Sequence, residues 1–156
     1  MSINLVKNYL KFYGKSEEIK EFPVSSATVD LAAKALNTVP ERIAKTISFK
    51  SPNGCVLIVT AGDMKIDNAK FKEKFGFKAK MLTPDEVFEY TGHKIGGVCP
   101  FAIENPSTTA FVDISVKRFA TIFPACGSSN SAIELTPDEL FEISKSSEWI
   151  DVCKER

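Results

Sequence analysis

The segment at residues 91–101, TGHKIGGVCPF, has the residue types best suited to chemistry in this chain. Gly96 and Gly97 permit positive φ angles and a close approach of the backbone to a ligand. Successive backbone N–H groups could then converge on an anion or on a carbonyl oxygen, as in an oxyanion hole. The segment is not a phosphate-binding P-loop, because Lys94 precedes the paired glycines instead of following them together with a Ser or Thr. A purely structural turn is the alternative interpretation.

The same segment contains a cysteine and the only histidine of the chain. Cys99 could act as a nucleophile if the imidazole of His93 lay within hydrogen-bond reach. The spacing of the two residues establishes neither this contact nor a third, orienting group. Cys99 is more simply interpreted as a small buried apolar residue. His93 alone is interpreted as a solvated loop residue or as a substrate contact.

Two charged residues, Lys45 and Asp113, occur in strand-like segments. Lys45 could hold a phosphate or a developing negative charge as a point charge, and a solvated edge-strand lysine is the alternative. Asp113 is flanked by Val112 and Ile114. A carboxylate in an apolar strand must face solvent, be paired or have a perturbed pKa. Both residues are therefore candidates for a site.

The composition excludes several classes of protein. Twenty Lys and Arg residues balance twenty Asp and Glu residues, whereas a dedicated duplex-DNA binder normally has a basic excess. A single histidine excludes sites that need two or three imidazoles, such as HExxH proteases. The four cysteines include no C-x-x-C pair, which argues against zinc knuckles and thioredoxin-type motifs. Without a signal-peptide pattern or a long apolar run, we expect a soluble, cytoplasmic chain with reduced thiols.

Apolar spacing and helix-end signals predict five helices, at residues 3–13, 29–36 and 67–75 and after Thr83 and Thr136. Thr83 and Thr136 each begin the sequence Thr-Pro-Asp-Glu, in which the threonine caps the helix and the glutamate reaches back to it. We interpret the two copies as independently capped helices. An internal repeat is less consistent, because the residues that precede the two copies do not match.

Alternating residues at 46–49 and 55–61, separated by a turn at 51–54, predict a β-hairpin. Further strand-like runs occur at residues 110–116, 119–123 and 132–135. Strands and helices are intermixed without a regular βαβ alternation. This order favours an α+β (mixed α/β) fold, in which helices pack around a mixed sheet. The length of 156 residues is typical of one domain.

Taken together, these segments resemble the YbaK/EbsC family, the aminoacyl-tRNA deacylases related to the editing insertion of bacterial prolyl-tRNA synthetase. The matching segments, in chain order, are residues 26–29, 43–46, 91–101, 111–113 and 124–127. Residues 43–46 resemble the lysine-threonine element of the family. Residues 91–101 resemble its T-G-x-x-x-G-G-V-S-P-F loop, in which residues 96–100 match the G-x-x-x-P motif.

The resemblance implies a single domain over residues 1–156, with a mixed, largely antiparallel, barrel-like sheet surrounded by helices. It implies hydrolysis of mischarged alanyl- or cysteinyl-tRNA(Pro) by a free-standing trans-editing factor without a metal or organic cofactor. The expected partners are the acceptor end of aminoacyl-tRNA and prolyl-tRNA synthetase, with no membrane and no DNA. The catalytic residues are expected to be Lys45, Gly96 and Gly97. Expected substrate-contacting residues are Ser26, Thr28, Thr46, His93, Val98, Cys99, Pro100, Phe101, Asp113 and Gly127.

Two departures from the family pattern leave alternatives open. The family usually has serine at the position of Cys99, and its basic turn is replaced at residues 125–130 by a sequence without arginines. The missing arginines and the balanced charge allow a non-catalytic module that binds aminoacyl-tRNA ends or a synthetase. A hydrolase that depends on Cys99 is a third hypothesis.

Overall fold

Strands and helices alternate irregularly along the chain in the computed structural model, which describes residues 2–156. In this range the helices are α1 (Ile3–Lys11), α2 (Val29–Ala35), α3 (Asn68–Phe75), α4 (Pro84–Thr91) and α5 (Pro137–Ile143). The strands are β1 (Lys20–Glu21), β2 (Ile43–Ser51), β3 (Gly54–Ala61), β4 (Met64–Ile66), β5 (Thr108–Asp113), β6 (Phe123–Pro124), β7 (Ser131–Ala132), β8 (Trp149–Ile150) and β9 (Cys153–Glu155). All five predicted helices are present.

The main sheet has five strands in the order β6-β2-β3-β5-β8. The predicted hairpin is its centre, where β2 and β3 pair antiparallel from Ser51 opposite Gly54 to Ala44 opposite Ala61. The three remaining pairs are parallel, namely β2 with β6, β3 with β5 and β5 with β8. Two antiparallel ribbons, β1 with β7 and β4 with β9, complete the strand pairing. The predicted α+β class with a mixed sheet is confirmed. The barrel-like curl that the resemblance implies is not closed by pairing of β6 with β8 in the described residues.

The core is organised around β3, whose eight residues are all buried. Alternate side chains of a strand point to opposite faces of the sheet. Accordingly, Val59 packs into the largest apolar cluster, and Ile58 packs into a second cluster that contains Phe71. Both faces of this part of the sheet are therefore covered, which fixes the register of the hairpin.

The capping signals of the sequence act as predicted. Thr83 accepts a hydrogen bond from the backbone N–H of Glu86, and the Glu86 side chain accepts one from the N–H of Thr83. Thr136 and Glu139 form the same reciprocal pair at α5. Such caps satisfy helix-end donors that would otherwise lack partners. They set the position of α4 and thereby of the loop that follows it.

The strand prediction is wrong at three places after β5. The strand ends at Asp113, because the carboxylate accepts a hydrogen bond from the N–H of Ser115 and starts a 3-10 turn over residues 114–118. Of the predicted run 119–123, only Phe123 belongs to a strand, and of the predicted run 132–135 only Ala132 does. Apolar alternation cannot separate a strand from an irregular segment that is buried on one side.

Candidate functional site

A cavity of about 320 Å³ opens beside β2, between the start of α2 and the loop that follows α4. Six of the residues predicted for a site line it together: Ser26, Thr28, Lys45, Thr46, Gly96 and Val98. They come from the segment before α2, from β2 and from the glycine loop. Its other lining side chains are mostly apolar and many are small, among them Ala27, Ala32, Ala44, Ala125 and Ala132. The fold thus brings together segments that are far apart in the sequence.

The edge of β2 is open where it faces this cavity. Pairing of β2 with β6 stops at Ala44, and the next partners on that edge are Leu82, which donates to the carbonyl oxygen of Ser48, and Lys80. Backbone groups of alternate residues in an antiparallel strand point to the same edge. The N–H and C=O of Thr46 therefore point toward the cavity, and no described residue bonds to them. This edge supplies one donor and one acceptor to a ligand.

Lys45 lies on the same face of β2 as Ile43, whose side chain packs against Ala32 and Ala33 of α2. The lysine is half-buried. Burial lowers its pKa, and the nearby charge of Arg156 acts in the same direction. A half-buried ammonium that forms no ion pair favours binding of an anion.

Asp63, the carboxylate whose charge acts on Lys45, does not neutralise it. Asp63 accepts two hydrogen bonds from the guanidinium of Arg118, with N–O distances of 2.9 and 2.6 Å. This pairing lowers the pKa of Asp63, and the attraction of Asp63 for Lys45 raises the lysine pKa only as a minor influence. Among residues 2–156 Lys45 forms no ion pair. Its charge is thus left for a ligand.

The glycine loop forms a tight turn in which the N–H of Gly97 donates to the carbonyl oxygen of Lys94 at 3.0 Å. Gly96 has a φ of +94° at the third position of this turn, which is the value a type II turn requires and which favours glycine. The N–H groups of Gly96 and Val98 bond to no described residue, and both residues line the cavity. They are backbone donors of the loop that remain without a described partner beside the cavity.

Gly97 lies on the other side of the loop. A Cβ atom on it would lie 2.9 Å from the backbone nitrogen of Ser128 and 3.0 Å from the carbonyl carbon of Gly127. Its N–H is used within the turn and its surface lines a neighbouring cavity. The structure therefore places Gly97 as a packing contact beneath the loop, while Gly96 faces the first cavity.

His93 and Cys99, the nucleophile and base considered in the sequence, are in contact but lie away from the cavity. Both side chains are fully buried, with 3.4 Å between the Cys99 Sγ and the His93 Nε2. Nε2 donates to the carbonyl oxygen of Phe101 at 2.8 Å, and Nδ1 lies 2.8 Å from the Oγ of Ser2. Burial raises the pKa of Cys99 to about 12 and lowers that of His93. A thiol that is protonated and inaccessible does not act as a nucleophile. Cys99 and the neutral imidazole of His93 therefore help to hold the loop in place.

Four further predicted residues also lie outside the cavity. Phe101 is fully buried in the largest apolar cluster, and Pro100 lines a separate surface pocket. Asp113 is buried, and its two carboxylate oxygens accept hydrogen bonds from the N–H groups of Ser115 and Val152, each at 2.9 Å. Gly127 has a φ of +92° and packs against α1. The family resemblance predicts these residues at the site. In the tertiary structure they lie outside the cavity, where they support the elements that form it.

Comparison with known proteins decides the family. The sequence profile of the aminoacyl-tRNA editing domain matches residues 24–143. The chain belongs to the aminoacyl-tRNA editing domain family. The matched range contains every residue that lines the first cavity.

Relatives of this editing domain include free-standing chains and parts of larger enzymes. An uncharacterized protein of Bacillus subtilis, YwhH, is 52% identical over 99% of both chains. The proline–tRNA ligase of Geobacillus sp. is 27% identical over 76% of this chain, which corresponds to 21% of the ligase. A solved structure described as a candidate trans-editing enzyme for prolyl tRNA synthetase has a TM-score of 0.88 at 27% identity, over 98% of this chain and 97% of the other. The editing domain is thus related to prolyl-tRNA synthetase editing.

The turn without arginines has a structural role in this editing domain. Ser128 donates to Ser131 at 2.6 Å, and the carbonyl oxygen of Ser129 accepts from the N–H of Ser26 at 2.6 Å. Asn130 bonds to both backbone groups of Phe22. The turn therefore holds the segment that precedes α2 against the cavity. The sequence does not predict the contact between this turn and the segment before α2, because serine and asparagine are common in turns of every kind.

No helix among the described residues is long and apolar enough to cross a membrane.

Proposed function

We propose that this editing domain is a trans-editing deacylase, which hydrolyses the ester of mischarged alanyl- or cysteinyl-tRNA(Pro). The observation that supports this most directly is the composition of the first cavity. It combines Lys45, the open edge at Thr46 and the N–H groups of Gly96 and Val98 that bond to no described residue. Lys45 is the only charged residue that lines it.

This cavity suits a substrate that is already activated. In the proposed reaction, the oxygen of a water molecule bonds to the ester carbonyl carbon, and the bond from that carbon to the ribose oxygen breaks. A proton of the water passes to the departing ribose oxygen, with the neighbouring ribose hydroxyl as the relay. The N–H groups of Gly96 and Val98 stabilise the negative charge on the carbonyl oxygen. One such donor contributes about 10²–10³ in rate.

Lys45 is proposed to position the substrate. An ammonium interacts with phosphate as a point charge, so Lys45 would bind the phosphate or the adenosine of the terminal nucleotide. The backbone edge at Thr46 would bind polar groups of the same nucleotide or of the aminoacyl group. Neither role requires a metal or an organic cofactor.

The preference for a small amino acid follows from the size and lining of the cavity. The cavity measures about 320 Å³ and must also accept part of the nucleotide. A synthetase separates side chains that differ by one methylene by only about 1–3 kcal/mol, which is why a second hydrolytic sieve is useful. Alanine and cysteine are small enough to escape the main pocket of a synthetase.

The test is deacylation of purified Ala-, Cys- and Pro-tRNA(Pro) by the wild type and by two variants. We expect the wild type to hydrolyse a mischarged species, Lys45→Ala to lose most of kcat/KM, and Cys99→Ser to keep activity because the thiol is buried. If the wild type clears none of the three esters, the proposed substrate is wrong. Full activity of Lys45→Ala would remove the role given to that residue.

A second candidate is a non-catalytic module that binds aminoacyl-tRNA ends or prolyl-tRNA synthetase. It is favoured by the absence of histidine, cysteine, aspartate and glutamate among the residues lining the first cavity and by the zero net charge. It predicts tRNA or synthetase binding with an unchanged lifetime of the ester. The same deacylation panel separates the two candidates.

A further inference from the structure

A second cavity, of about 350 Å³, lies on the opposite side of the glycine loop. Three large apolar side chains line it although they are exposed: Leu5 at 49%, Phe88 at 54% and Ile95 at 62%. They come from α1, from α4 and from the loop. Exposed large apolar side chains that share one concave surface indicate a binding site more often than scattered ones do. We call this surface the Phe88 groove.

The Phe88 groove adjoins the first cavity across the glycine loop. Ile95 lines both of them, and the adjacent Gly96 and Gly97 line one each. The wall between them is therefore a single turn of backbone. A ligand bound in the first cavity that extends past Ile95 enters the groove.

The groove also has a single charge. Lys94 is the only charged residue among those that line it. The lysine is exposed and forms no ion pair with any residue of the described range. An exposed aromatic ring with two aliphatic neighbours beside a positive charge matches the chemistry of a nucleotide, which has an aromatic base and an anionic phosphate.

We infer that the Phe88 groove binds the unpaired nucleotide or nucleotides that precede the terminal adenosine of the tRNA acceptor end. This inference rests on the proposed function. The 3′ end of tRNA is single-stranded, and unstacked bases stack on aromatic side chains with little dependence on base identity. In this arrangement a base stacks on Phe88 and the adjoining phosphate lies near Lys94.

A nucleotide fits the groove better than a protein partner does. A stable protein interface buries about 800 Å² on each side, whereas this surface has three apolar side chains around one small concavity. The zero net charge of the chain provides little long-range attraction for tRNA. Stacking of a base next to the first cavity would supply affinity for tRNA that long-range attraction does not provide.

The first experiment measures binding without catalysis. The probe is an uncharged, fluorescently labelled acceptor-stem minihelix that ends in the single-stranded CCA, followed by anisotropy. Phe88→Ala is expected to weaken binding about 5- to 150-fold, which corresponds to the loss of one stacked base. Phe88→Trp should retain affinity, and Lys94→Gln should weaken binding and reduce its salt dependence. Phe12→Ala is the matched control, because Phe12 is 90% exposed and lines neither cavity.

The second experiment compares substrates of different length. Phe88→Ala should raise KM for aminoacyl-tRNA and leave hydrolysis of aminoacyl-adenosine unchanged, because the short ester has no preceding nucleotide. Thermal unfolding of each variant verifies that it is folded.

Three results would overturn the inference: wild-type affinity of Phe88→Ala for the minihelix, an equal loss of activity on both substrates, or a loss of prolyl-tRNA synthetase binding alone. The last result would identify a protein-docking surface. The binding arm needs no hydrolysis, so failure of the deacylase proposal is distinguishable from failure of this one.

Discussion

Replacement of Gly97 by alanine tests whether the glycine loop is positioned by its packing. The new Cβ would lie 2.9 Å from the nitrogen of Ser128 and 3.0 Å from the carbonyl carbon of Gly127. Ordinary contacts of a Cβ begin at 3.4 Å, so the loop must retreat by about 0.5 Å. The opposing atoms are backbone and cannot rotate away. The displaced peptide groups include the N–H groups of Gly96 and Val98.

The expected losses follow from this displacement. Overpacking of this kind costs about 1–3 kcal/mol of unfolding free energy, which lowers Tm by about 2–12 °C in a domain of this size. A misplacement of about 1 Å at a reacting centre can cost about 10²-fold in rate. The displacement of about 0.5 Å is therefore expected to lower kcat about tenfold. The assay is single-turnover deacylation of mischarged tRNA at a temperature at which the variant is folded.

Gly76→Ala is the matched control for loss of stability without displacement of the loop. Gly76 has a φ of +80° at the end of α3, and no atom lies within 4 Å of the position that a Cβ would take there. Backbone strain at this residue costs about 1–2 kcal/mol. We expect a similar decrease in Tm and an unchanged kcat. A Gly97→Ala variant with wild-type kcat would refute the reasoning that the contact with Ser128 sets the position of the N–H donors.

Three further predictions concern buried residues outside the first cavity. Asp113→Ala leaves two buried N–H groups without acceptors. It should lower the unfolding free energy, measured by urea titration, by about 2–5 kcal/mol. Asp113→Asn should lose less, and equal losses of the two variants would contradict the role given to the carboxylate. Because burial lowers the pKa of His93, the unfolded chain binds a proton that the folded chain does not. Stability should therefore be full above about pH 6.5, the ordinary histidine pKa, and decrease as the pH falls below it. Urea midpoints at several pH values should show a weaker decrease for His93→Gln, and an identical slope would exclude the histidine as its source. Phe71→Ala removes a fully buried ring that lies 4.7 Å from Phe75 between ring centroids and should cost about 3–5 kcal/mol. Its kcat at low temperature should stay unchanged, and a lower kcat would link that cluster to the site.

Local sequence signals predicted the secondary structure well where the stabilising contacts are themselves local. The Thr-Pro-Asp-Glu sequences at Thr83 and Thr136 begin helices because each cap bonds to a residue three positions later. The hairpin was predictable for the same reason. The strand end at Asp113 was not predicted although its bond to Ser115 is local, because apolar residues continue the strand-like run beyond it. A second bond, from Val152, 39 residues further along the chain, holds the carboxylate in place.

The candidate site was predicted in part. The resemblance selected Lys45 and Gly96, and both line the first cavity. It also selected His93 and Cys99, whose burial depends on contacts with Ser2 and Phe101 that composition does not reveal. The open edge at Thr46 had no signal in the sequence, since it depends on where β6 and residues 80–82 stop pairing with β2.

The sequence by itself determined the residue types that exclude metal-ligating histidine clusters, the helix ends, the central hairpin and the resemblance to a deacylase family. These properties depend on residue identity and on contacts within a few positions. Only the tertiary structure decided which glycine of the loop faces the cavity, which charged groups remain without partners and which apolar side chains form the Phe88 groove. Those outcomes depend on long-range packing of α1, α4, β2 and the turn at residues 127–131, and distances across such contacts are not encoded in any local pattern.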